Sequence, residues 1–532
     1  MRPATTWFIL FCFLLTTTGF CATLTVGHGP GFDSPTVTAA IESANEGNTL
    51  LIAEGVYDST HGETFPLNLK AGLCLVSADP ERHASLVGDA SGPVVTLKNV
   101  YNCLLNGIRV AGGRARFGGG ILVELSSLTL RNCVLEENEA VWSEEARQGG
   151  GGSAVYSNSS VVSVENCWIR ENLSSDLGST LGFTGTGSAT VEGSTITRNL
   201  GGVVVCTGSA EVELACCLVS ENASQGLGGR GVVETSNSSH ARLANCSVVA
   251  NEGIGVRAYS SSTIEVRNCI LWNHFRETIF GGVDVSDSCV RGALTLSGIL
   301  SAWPEFRNPS QSDWRLADQS PCIDAGDSSH LDADQTEDLD GNPRIQREGV
   351  DMGAYETAPE YEPGYTLPYA LQLHVRPDSP SAKKTGESWE DAFTTIREAL
   401  FRATKGSTLW VAGGLYREYL HVIDGIEIYG GFEGSEIALE DRPNPLSPTV
   451  VDATGFQRTV VQAQSGDGFL LDGFVLTGGE GLSGGALYVE GVNTTIRNCT
   501  LERNFAANYD APAKSRTMAT TIRRCPDSIV NT

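Results

Sequence analysis

The densest group of potential metal ligands in the sequence is a run of aspartates that ends at Gly341. They are Asp332, Asp334, Asp338 and Asp340. Alternating aspartates on a tight loop suit Ca²⁺, because this hard cation takes several oxygen ligands. The spacing differs from that of an EF-hand loop, since Thr336 holds the third ligand position. We therefore predict a candidate calcium site here, with a solvated acidic loop as the alternative.

A second feature that could carry chemistry is a repeated phrase, Asn-Cys-x-(apolar)-x-x-Asn. Its full copies begin at Asn132, Asn166, Asn245 and Asn498, and variants lie between them. The steps between cysteine positions are 34 (133 to 167), 27 (to 194), 23 (to 217), 29 (to 246) and 23 residues (to 269). Such a period indicates stacked coils in which one slot recurs. We predict that the cysteines pack as an internal ladder, with disulfides between adjacent rungs as the alternative.

The residues inside each coil follow a strand-like pattern. Ile264 and Val266 alternate with polar residues before the bend at Asn268. Asparagine tolerates the left-handed backbone region at such a bend, and its amide can bond to the asparagine one rung above. A strand started by glycine, as at residues 201–203, also belongs to each coil. Two or three short strands per coil predict an all-β, right-handed parallel β-helix, and crossover connections favour that hand.

The composition and the N-terminus describe an acidic, exported protein. The chain has 36 Lys and Arg against 63 Asp and Glu, so its formal net charge is −27. This balance argues against nucleic acid or an anionic membrane as a partner. Residues 1–22 resemble a signal peptide, with Arg2 followed by a short apolar run. No other stretch has the length and apolarity of a transmembrane helix, so we predict a protein that is secreted or exposed at the cell surface.

The chain is also duplicated on a larger scale. Residues 47–57 match residues 406–416 at an offset of 359, and residues 105–113 match residues 471–479. Each of the latter two segments begins 28 residues before the cysteine of its first Asn-Cys phrase. We therefore predict two tandem β-helices.

Each β-helix is predicted to open with a short capping helix. In the first copy Ser34 and Pro35 start a helix that Gly47 ends. In the second copy Ser388 is the expected N-cap, and apolar residues follow at spacings of 4, 3 and 4. These apolar residues are Trp389, Phe393, Ile396 and Leu400. A helix at this place covers the unpaired strand at the end of the stack.

Three phrases in the acidic middle of the chain resemble a known family. They are Pro-x-Ile-Asp-Ala-Gly-Asp at 321–327, Asp-Gly-Asn-Pro-Arg at 340–344 and Val-Asp-x-Gly-Ala-Tyr-Glu at 350–356. They resemble the segment that closes bacterial surface β-helix proteins of the choice-of-anchor class. Residues 406–416 and 471–479 are similar to the N-terminal coils of those proteins, and to pectate-lyase-like and polymorphic outer-membrane-protein repeats. The resemblance covers nearly all of residues 23–504 and implies an envelope-associated bacterial solenoid, in most members without demonstrated chemistry.

Enzymes of this fold act in a groove along one sheet, lyases through calcium-binding aspartates and an arginine base, hydrolases through paired carboxylates. The set of phrases typical of polygalacturonases is missing, and Gly27-His28-Gly29 stands alone near the N-terminus. The coil arginines occupy outward or turn positions that favour solvated roles; they are Arg131, Arg170, Arg198, Arg267 and Arg497. The eight histidines show no metal-ligand spacing. No catalytic residue can therefore be assigned from the sequence.

Together these patterns predict the following order: signal peptide 1–22, first β-helix 23–300, acidic closing segment 301–357, linker 358–369, truncated second β-helix 370–505 and irregular tail 506–532. The tail lacks the next glycine-started strand and has a basic bias, which indicates a frameshift or a truncation. We expect a structural, adhesive or glycan-binding protein of the bacterial envelope, with polysaccharide or envelope components as partners and no cofactor beyond the candidate Ca²⁺. The alternative is a polysaccharide lyase or glycoside hydrolase that acts on acidic polysaccharide.

Overall fold

The computed structural model of the chain describes residues 22–79, 82–141, 151–174, 178–223, 231–259, 261–272, 278–291, 298–309, 312–318, 320–332, 335–346, 349–357, 371–380, 385–403, 406–422, 425–443, 445–456, 458–481, 484–506, 517–518 and 528–530. The predicted signal peptide, apart from residue 22, and the predicted linker 358–369 lie outside these ranges, as does most of the tail.

Three long parallel sheets run along the first part of the chain. Sheet 1 comprises Thr23–Val26, Thr49–Ile52, Cys74–Ser77, Cys103–Asn106, Ser127–Arg131, Val161–Glu165, Ser188–Glu192, Glu211–Ala215, His240–Ala244, Thr263–Arg267 and Val283–Ser286. Sheet 2 comprises Gly55–Tyr57, Ala84–Val87, Ile108–Ala111, Val134–Glu136, Trp168–Arg170, Thr195–Thr197, Leu218–Ser220, Ser247–Val249, Ile270–Trp272, Ser288–Val290 and Ile299–Leu300. Sheet 3 comprises Leu67–Asn68, Val95–Lys98, Ile121–Glu124, Val155–Asn158, Ser179–Thr184, Gly202–Cys206, Gly231–Thr235, Ile254–Ala258 and Ile279–Gly281. A short parallel sheet joins Arg114–Ala115, Glu139–Ala140 and Leu173–Ser174.

Neighbouring strands in these sheets come from successive coils, which is the arrangement of a parallel β-helix. In sheet 1, for example, Leu130 lies between Leu105 and Val164 of the adjacent coils. All three side chains are fully buried, while Thr129 on the same strand points outward. We call this unit, residues 23–300, the first stack. Its apolar interior runs along the axis because the same inward slots recur in each coil.

A second set of sheets contains the strands from residue 372 onward, and we call it the second stack. Sheet 4 comprises Gln372–Val375, Thr408–Ala412, Leu420–His421, Glu427–Phe432, Val461–Asp472, Leu487–Arg497 and Ser528–Val530. Sheet 5 comprises Gly414–Tyr416, Thr449–Asp452, Phe474–Thr477 and Thr500–Glu502. Antiparallel pairs join Phe306–Asn308 to Asp313–Leu316 and Phe505–Ala506 to Thr517–Met518, and Ser528–Val530 pairs antiparallel with its neighbour in sheet 4. The frameshift or truncation of the tail stays a prediction.

The two asparagines of the repeated phrase have different structural roles. The first takes the left-handed backbone at the bend, with φ of 50° at Asn132 and 53° at Asn166. The second is buried, and its amide continues from rung to rung, as in Asn172 Nδ2 to Asn199 Oδ1 at 2.9 Å. The predicted contact at the bend also occurs, because Asn132 Nδ2 donates to Asn106 Oδ1 of the preceding coil at 3.2 Å. The second asparagine adds a buried ladder that was not predicted. The bend side chains of Asn132 and Asn166 reach water, whereas a buried amide must find protein partners.

The cysteine slot is a packing ladder, as predicted. The slot cysteines Cys133, Cys167, Cys217, Cys246, Cys269 and Cys499 are buried free thiols. The backbone N–H of Cys133 donates to Cys167 Sγ at 3.4 Å, and that of Cys246 donates to Cys269 Sγ at 3.3 Å. The cysteine side chain is small and apolar, so it packs in the core, and its sulfur accepts a backbone N–H at the turn of the neighbouring coil.

A short helix follows the first strand of each stack, α1 at Val37–Ser43 and α2 at Ile396–Arg402. Short 3₁₀ turns lie at Ser59–His61, Ser328–His330 and Leu439–Asp441. Both α-helices begin later than predicted, because Thr36 and Thr395 are the N-caps. Ser388 instead accepts the Asp391 N–H in a turn. None of the described helices has the length and apolarity needed to cross a membrane.

Distant glutamates explain why the helices start where they do. Glu63 accepts the N–H groups of Val37 and Thr38 at 2.6 and 2.8 Å. Glu418 accepts those of Ile396 and Arg397 at 2.9 and 3.0 Å. These carboxylates satisfy the free amides of the first helical turn, and their distance along the chain hides them from local sequence patterns.

A matching contact follows each helix. Tyr57 OH donates to Ala53 O at 3.0 Å, and Tyr416 OH donates to Ala412 O at 2.9 Å, at positions 359 residues apart. The tandem duplication and the domain boundaries stay predictions, and these paired contacts are consistent with the duplication.

Candidate functional site

The closing segment, residues 301–357, covers the outer face of sheet 2 over the last coils of the first stack. The outward side chains there are apolar and buried, namely Leu218, Val249, Ile270 and Trp272. They pack against apolar residues of the segment, including Trp303, Phe306, Trp314, Leu316 and Met352. The Trp272 and Trp303 rings meet edge-on at 5.7 Å. This part of the face is an interior surface and is closed to ligands.

Polar contacts fix the position of the segment on the stack. The N–H of Ala354 donates to Ser247 Oγ at 3.0 Å, and the Gly353 N–H donates to the carbonyl of Asn268 at 2.7 Å. The Asn268 side chain in turn accepts the N–H of Asp327 at 2.8 Å and donates to its carbonyl at 2.9 Å. The segment is therefore registered to individual coils of the stack.

The predicted calcium ligands have other partners. Asp332 pairs with Arg242 at 2.7 Å, and Asp340 pairs with Arg315 through two hydrogen bonds. Asp338 accepts backbone N–H groups, including that of Glu356 at 2.7 Å. Asp334 lies outside the described residues. The calcium site stays a prediction, and the oxygens of the described aspartates face cations and amide donors.

The phrases that carry the family resemblance build the inside of the closing segment. Arg344 and Glu356 lie together in the interior, with Arg344 Nη1 3.4 Å from Glu356 Oε1. Burial raises the pKa of Glu356 to about 9, while the charge of Arg344 acts in the opposite direction. Asp351 accepts the N–H groups of Asp324 and Thr357, both at 2.8 Å. These contacts give the acidic phrases a structural role.

Within the described part of the chain, one set of three metal-type side chains comes together, and it is not the predicted one. The ligand atoms of Asp287, Asp327 and His330 lie within 4.8 Å of one another. His330 Nε2 is 3.1 Å from Asp287 Oδ2, and Asp327 Oδ1 accepts the Ser329 N–H at 2.8 Å. Asp287 belongs to the last coils and the other two to the closing segment, so the sequence gives no local signal of this cluster. Its existing hydrogen bonds explain its geometry.

Five outward side chains nearer the N-terminal end of sheet 2 do not belong to the cluster under the closing segment, and we call them the open strip: Arg109, Val134, Glu136, Trp168 and Arg170. They lie on three neighbouring strands, with Arg109, Val134 and Trp168 in one row and Glu136 beside Arg170 in the next. Trp168 is 51% exposed although its strand is paired on both sides. An exposed indole on a fixed backbone is a typical binding feature.

The charges of the open strip are locked together. Glu136 accepts from Arg109 Nε at 2.5 Å and from Arg170 Nε at 2.6 Å. Burial alone would raise the pKa of Glu136, but the hydrogen bonds from Arg170 and Arg109 lower it below its usual value. The carboxylate is therefore held ionised between two cations.

The coil arginines singled out in the sequence are all paired with carboxylates. The pairs are Arg131–Glu165, Arg170–Glu136, Arg198–Glu221, Arg267–Asp284 and Arg497–Asp472, at 2.6, 2.6, 3.6, 2.6 and 2.8 Å. In each pair the partner comes from another coil. The arginines are solvent-exposed as expected, with Arg267 the most buried at 15% exposure, and each of them also links two coils.

Comparison with known families identifies the fold. The family described as "Right handed beta helix region" has a model that matches residues 119–293. The chain has the fold of a right-handed parallel β-helix. This agrees with the predicted fold class, and the match falls on the coils of the first stack.

Several solved structures resemble this β-helix protein at low sequence identity. One is pectate lyase Pel9A, with 15% identity and TM-score 0.41, where the alignment covers 63% of this chain and 96% of that chain. Another is an alginate lyase from Paenibacillus sp., with 10% identity, TM-score 0.29, and coverage of 52% and 99%. A third is PfbA, a surface adhesin of Streptococcus pneumoniae, with 8% identity, TM-score 0.20, and coverage of 89% and 92%. No curated protein matches the sequence.

Sequence reasoning missed the open strip and the covered face, although a signal was present. The outward positions after each cysteine change from Val134, Glu136, Trp168 and Arg170 to Leu218, Val249, Ile270 and Trp272. A solvent-facing row that turns apolar indicates that another segment covers it. The change therefore marks where the closing segment begins to pack.

Proposed function

We propose that this protein is an exported, surface-exposed β-helix that binds a glycan along the open strip and does not cleave it. The observation that carries the proposal is Trp168, half-exposed on a rigid strand and flanked by Arg170. The face of an indole offers an apolar surface to the C–H groups of a sugar ring, and its position costs little conformational entropy on binding. The surrounding strands are fixed, so the strip is preorganised.

The charges of the strip favour binding over catalysis. A general acid works best with a pKa near the operating pH, and Glu136 is shifted in the opposite direction. An arginine acting as a base would have to lose its proton, but Arg109 and Arg170 are held by a carboxylate that stabilises their charge. The strip therefore offers fixed recognition groups.

The same groups indicate the class of glycan. Arg170 uses Nε for Glu136, and a guanidinium has further N–H donors in its fork. These donors match carboxylate or sulfate groups on a sugar. An acidic polysaccharide that stacks on Trp168 and pairs with Arg170 fits this arrangement best. The alternative function is a lyase or hydrolase that acts on the same polymers. The two are distinguished by the length of the polysaccharide, which an enzyme shortens and a binding protein leaves unchanged.

The binding test uses the full chain and soluble acidic polysaccharides, such as polygalacturonate and alginate, with neutral dextran as the reference polymer. Affinity electrophoresis should show retardation by an acidic polymer and none by dextran. Trp168→Ala should weaken binding about tenfold, because it removes the stacking surface. Tyr101→Ala is the matched control, since Tyr101 is 57% exposed but lies outside the strip, between the strands Val95–Lys98 and Cys103–Asn106. Equal binding by the two variants, or no retardation by any acidic polymer, would refute the proposal.

A further inference from the structure

The last coil of the first stack supplies a cap for helix α2 of the second stack. Arg291 follows the strand Ser288–Val290 and is 9% exposed. Its Nη2 donates to the carbonyls of Leu400 and Ala403 at 3.0 and 2.9 Å. The final carbonyls of a helix lack partners within the helix and form its negative end, so a buried cation stabilises them.

In a second contact the first stack supplies a carboxylate, and the second stack supplies the hydrogen-bond donor and the cation. Glu252 follows Asn251 of the buried ladder and is 8% exposed. Tyr419 OH of the second stack donates to its Oε1, and Arg458 Nη2 lies 3.4 Å from its Oε2. Burial raises the pKa of Glu252, while the charges of Arg458 and Arg397 lower it. Arg397 lies over the Tyr419 ring at 4.9 Å, so the donor itself is held in place.

A third contact joins α2 to the closing segment. Arg402, in the last turn of α2, is buried and places Nη2 3.4 Å from Glu305 and 3.1 Å from Glu387. Burial raises the pKa of Glu305, and the charge of Arg402 opposes that shift. The helix therefore meets the first stack, the closing segment and its own stack.

We infer that the two stacks form one docked unit and that α2 is the element that docks the second stack onto the first. The first stack provides a cation, Arg291, for the helix end and an anion, Glu252, for Tyr419 and Arg458. Complementary charges in both directions fix one orientation, because a rotated arrangement would leave buried charges without partners. Helix α1 opens a stack in the same way, so docking is an added role of α2. This inference is independent of glycan binding.

The test compares two double variants of the full chain. Arg291→Leu with Glu252→Ala removes both contributions of the first stack to the interface. Arg131→Leu with Glu165→Ala is the matched control, because it removes an ion pair that lies within the first stack. Small-angle X-ray scattering should show a larger maximum dimension for the interface variant alone, and denaturant unfolding should separate into two transitions. Scattering and unfolding curves that match those of the control would overturn the inference.

A milder variant keeps the test informative if the interface double variant does not fold. Tyr419→Phe removes one hydroxyl from the interface and leaves the ring in place. We expect amide hydrogen exchange in residues 396–403 to become about fivefold faster, since α2 loses part of its docking energy. Exchange in residues 37–43 of α1 should not change. Unchanged exchange in α2 would contradict the docked arrangement.

Discussion

At the scale of single residues, the buried asparagine of each repeated phrase links three coils. Asn199 Nδ2 donates to Ile169 O at 2.9 Å in one neighbouring coil and to Asn222 Oδ1 at 2.9 Å in the other. Its Oδ1 accepts the backbone N–H of Asn172 at 3.0 Å. Each amide thereby satisfies backbone groups that the turn leaves open, which stacking alone would not do.

Removing one amide should therefore be costly. Asn199→Ala leaves buried carbonyls and an N–H without partners, and we expect it to lower the free energy of unfolding by about 3 kcal/mol. Asn132→Gly is the control, because Asn132 is exposed and glycine accepts its positive φ, with an expected change below about 0.5 kcal/mol. Urea unfolding of both variants measures the difference. Similar losses would mean that the bend asparagine matters as much as the ladder.

The carboxylate of Glu418, which caps α2, should make stability depend on pH. Burial raises its pKa from the usual 4.5 to about 7, against the hydrogen bonds from Ile396 and Arg397. Because the folded state holds this proton more tightly than the unfolded state, the proton's stabilisation of the fold is fully present below pH 4.5. It is lost as the pH rises through about 7.

Glu418→Gln should remove this dependence, because the amide stays neutral at every pH and its oxygen still accepts one of the two helix N–H groups. Between pH 4.5 and 7.5 the wild type should lose on the order of 3 kcal/mol more stability than the variant. Denaturant unfolding at several pH values measures this, with Glu440→Gln as an exposed control. Parallel pH profiles for the wild type and Glu418→Gln would show that Glu418 does not titrate in this range.

Residue patterns predicted much at this scale. The cysteine slot and the left-handed bend follow from local spacing, because each depends on one coil and its copies. The contact of the bend asparagine was predicted, as at Asn132, but the buried ladder of the second asparagine was not, since the phrase does not tell which of its two asparagines is buried. The partners of Asp332 and Asp340 were invisible, because Arg242 and Arg315 lie far away in the chain.

At the scale of elements, the closing segment decides which part of sheet 2 meets solvent. Gly353 shows how closely it packs. Its φ is 101°, and a Cβ there would lie 2.7 Å from Ser247 Oγ and 2.9 Å from Ile270 Cδ1. A side chain at this position is opposed by both the backbone conformation and the surface of the stack.

Gly353→Ala should accordingly loosen the segment. We expect a loss of at least about 2 kcal/mol from strain and overpacking. Gly341→Ala is the matched control, because its φ is 81° but nothing lies within 4 Å of the added Cβ, so about 1 kcal/mol is expected. Hydrogen exchange in the strand Ser247–Val249 should become faster in Gly353→Ala alone. Equal effects of the two substitutions would show that contact with the stack contributes little.

The elements were predicted well where a periodic pattern defines them. Strands, coils and the existence of both capping helices follow from alternation and spacing. The starts of the helices were placed too early, because threonine caps and the distant Glu63 and Glu418 set them. The covered face was missed because it depends on contacts between segments that no local pattern records.

At the scale of the whole molecule, the described residues form two stacks of parallel sheets, and we propose that the first stack binds a glycan and that the second is docked onto it. The fold class was predictable because a repeated sequence unit indicates a repeated structural unit, here one coil of a β-helix. Docking was not predictable, because Arg291 and Glu252 look like ordinary coil residues in the sequence. The open strip was not predictable either, because its exposure depends on where the closing segment packs on sheet 2.

The central claim is that the protein binds an acidic polysaccharide without cleaving it. The most direct test is to measure the chain length of such a polymer during incubation with the protein. The full chain is incubated with polygalacturonate or alginate, with and without Ca²⁺, and molar mass and new unsaturated or reducing ends are followed over time. We predict that the polymer is bound while its chain length stays constant in both conditions. New ends that increase with time and with protein concentration would contradict the proposal and identify a polysaccharide-cleaving enzyme.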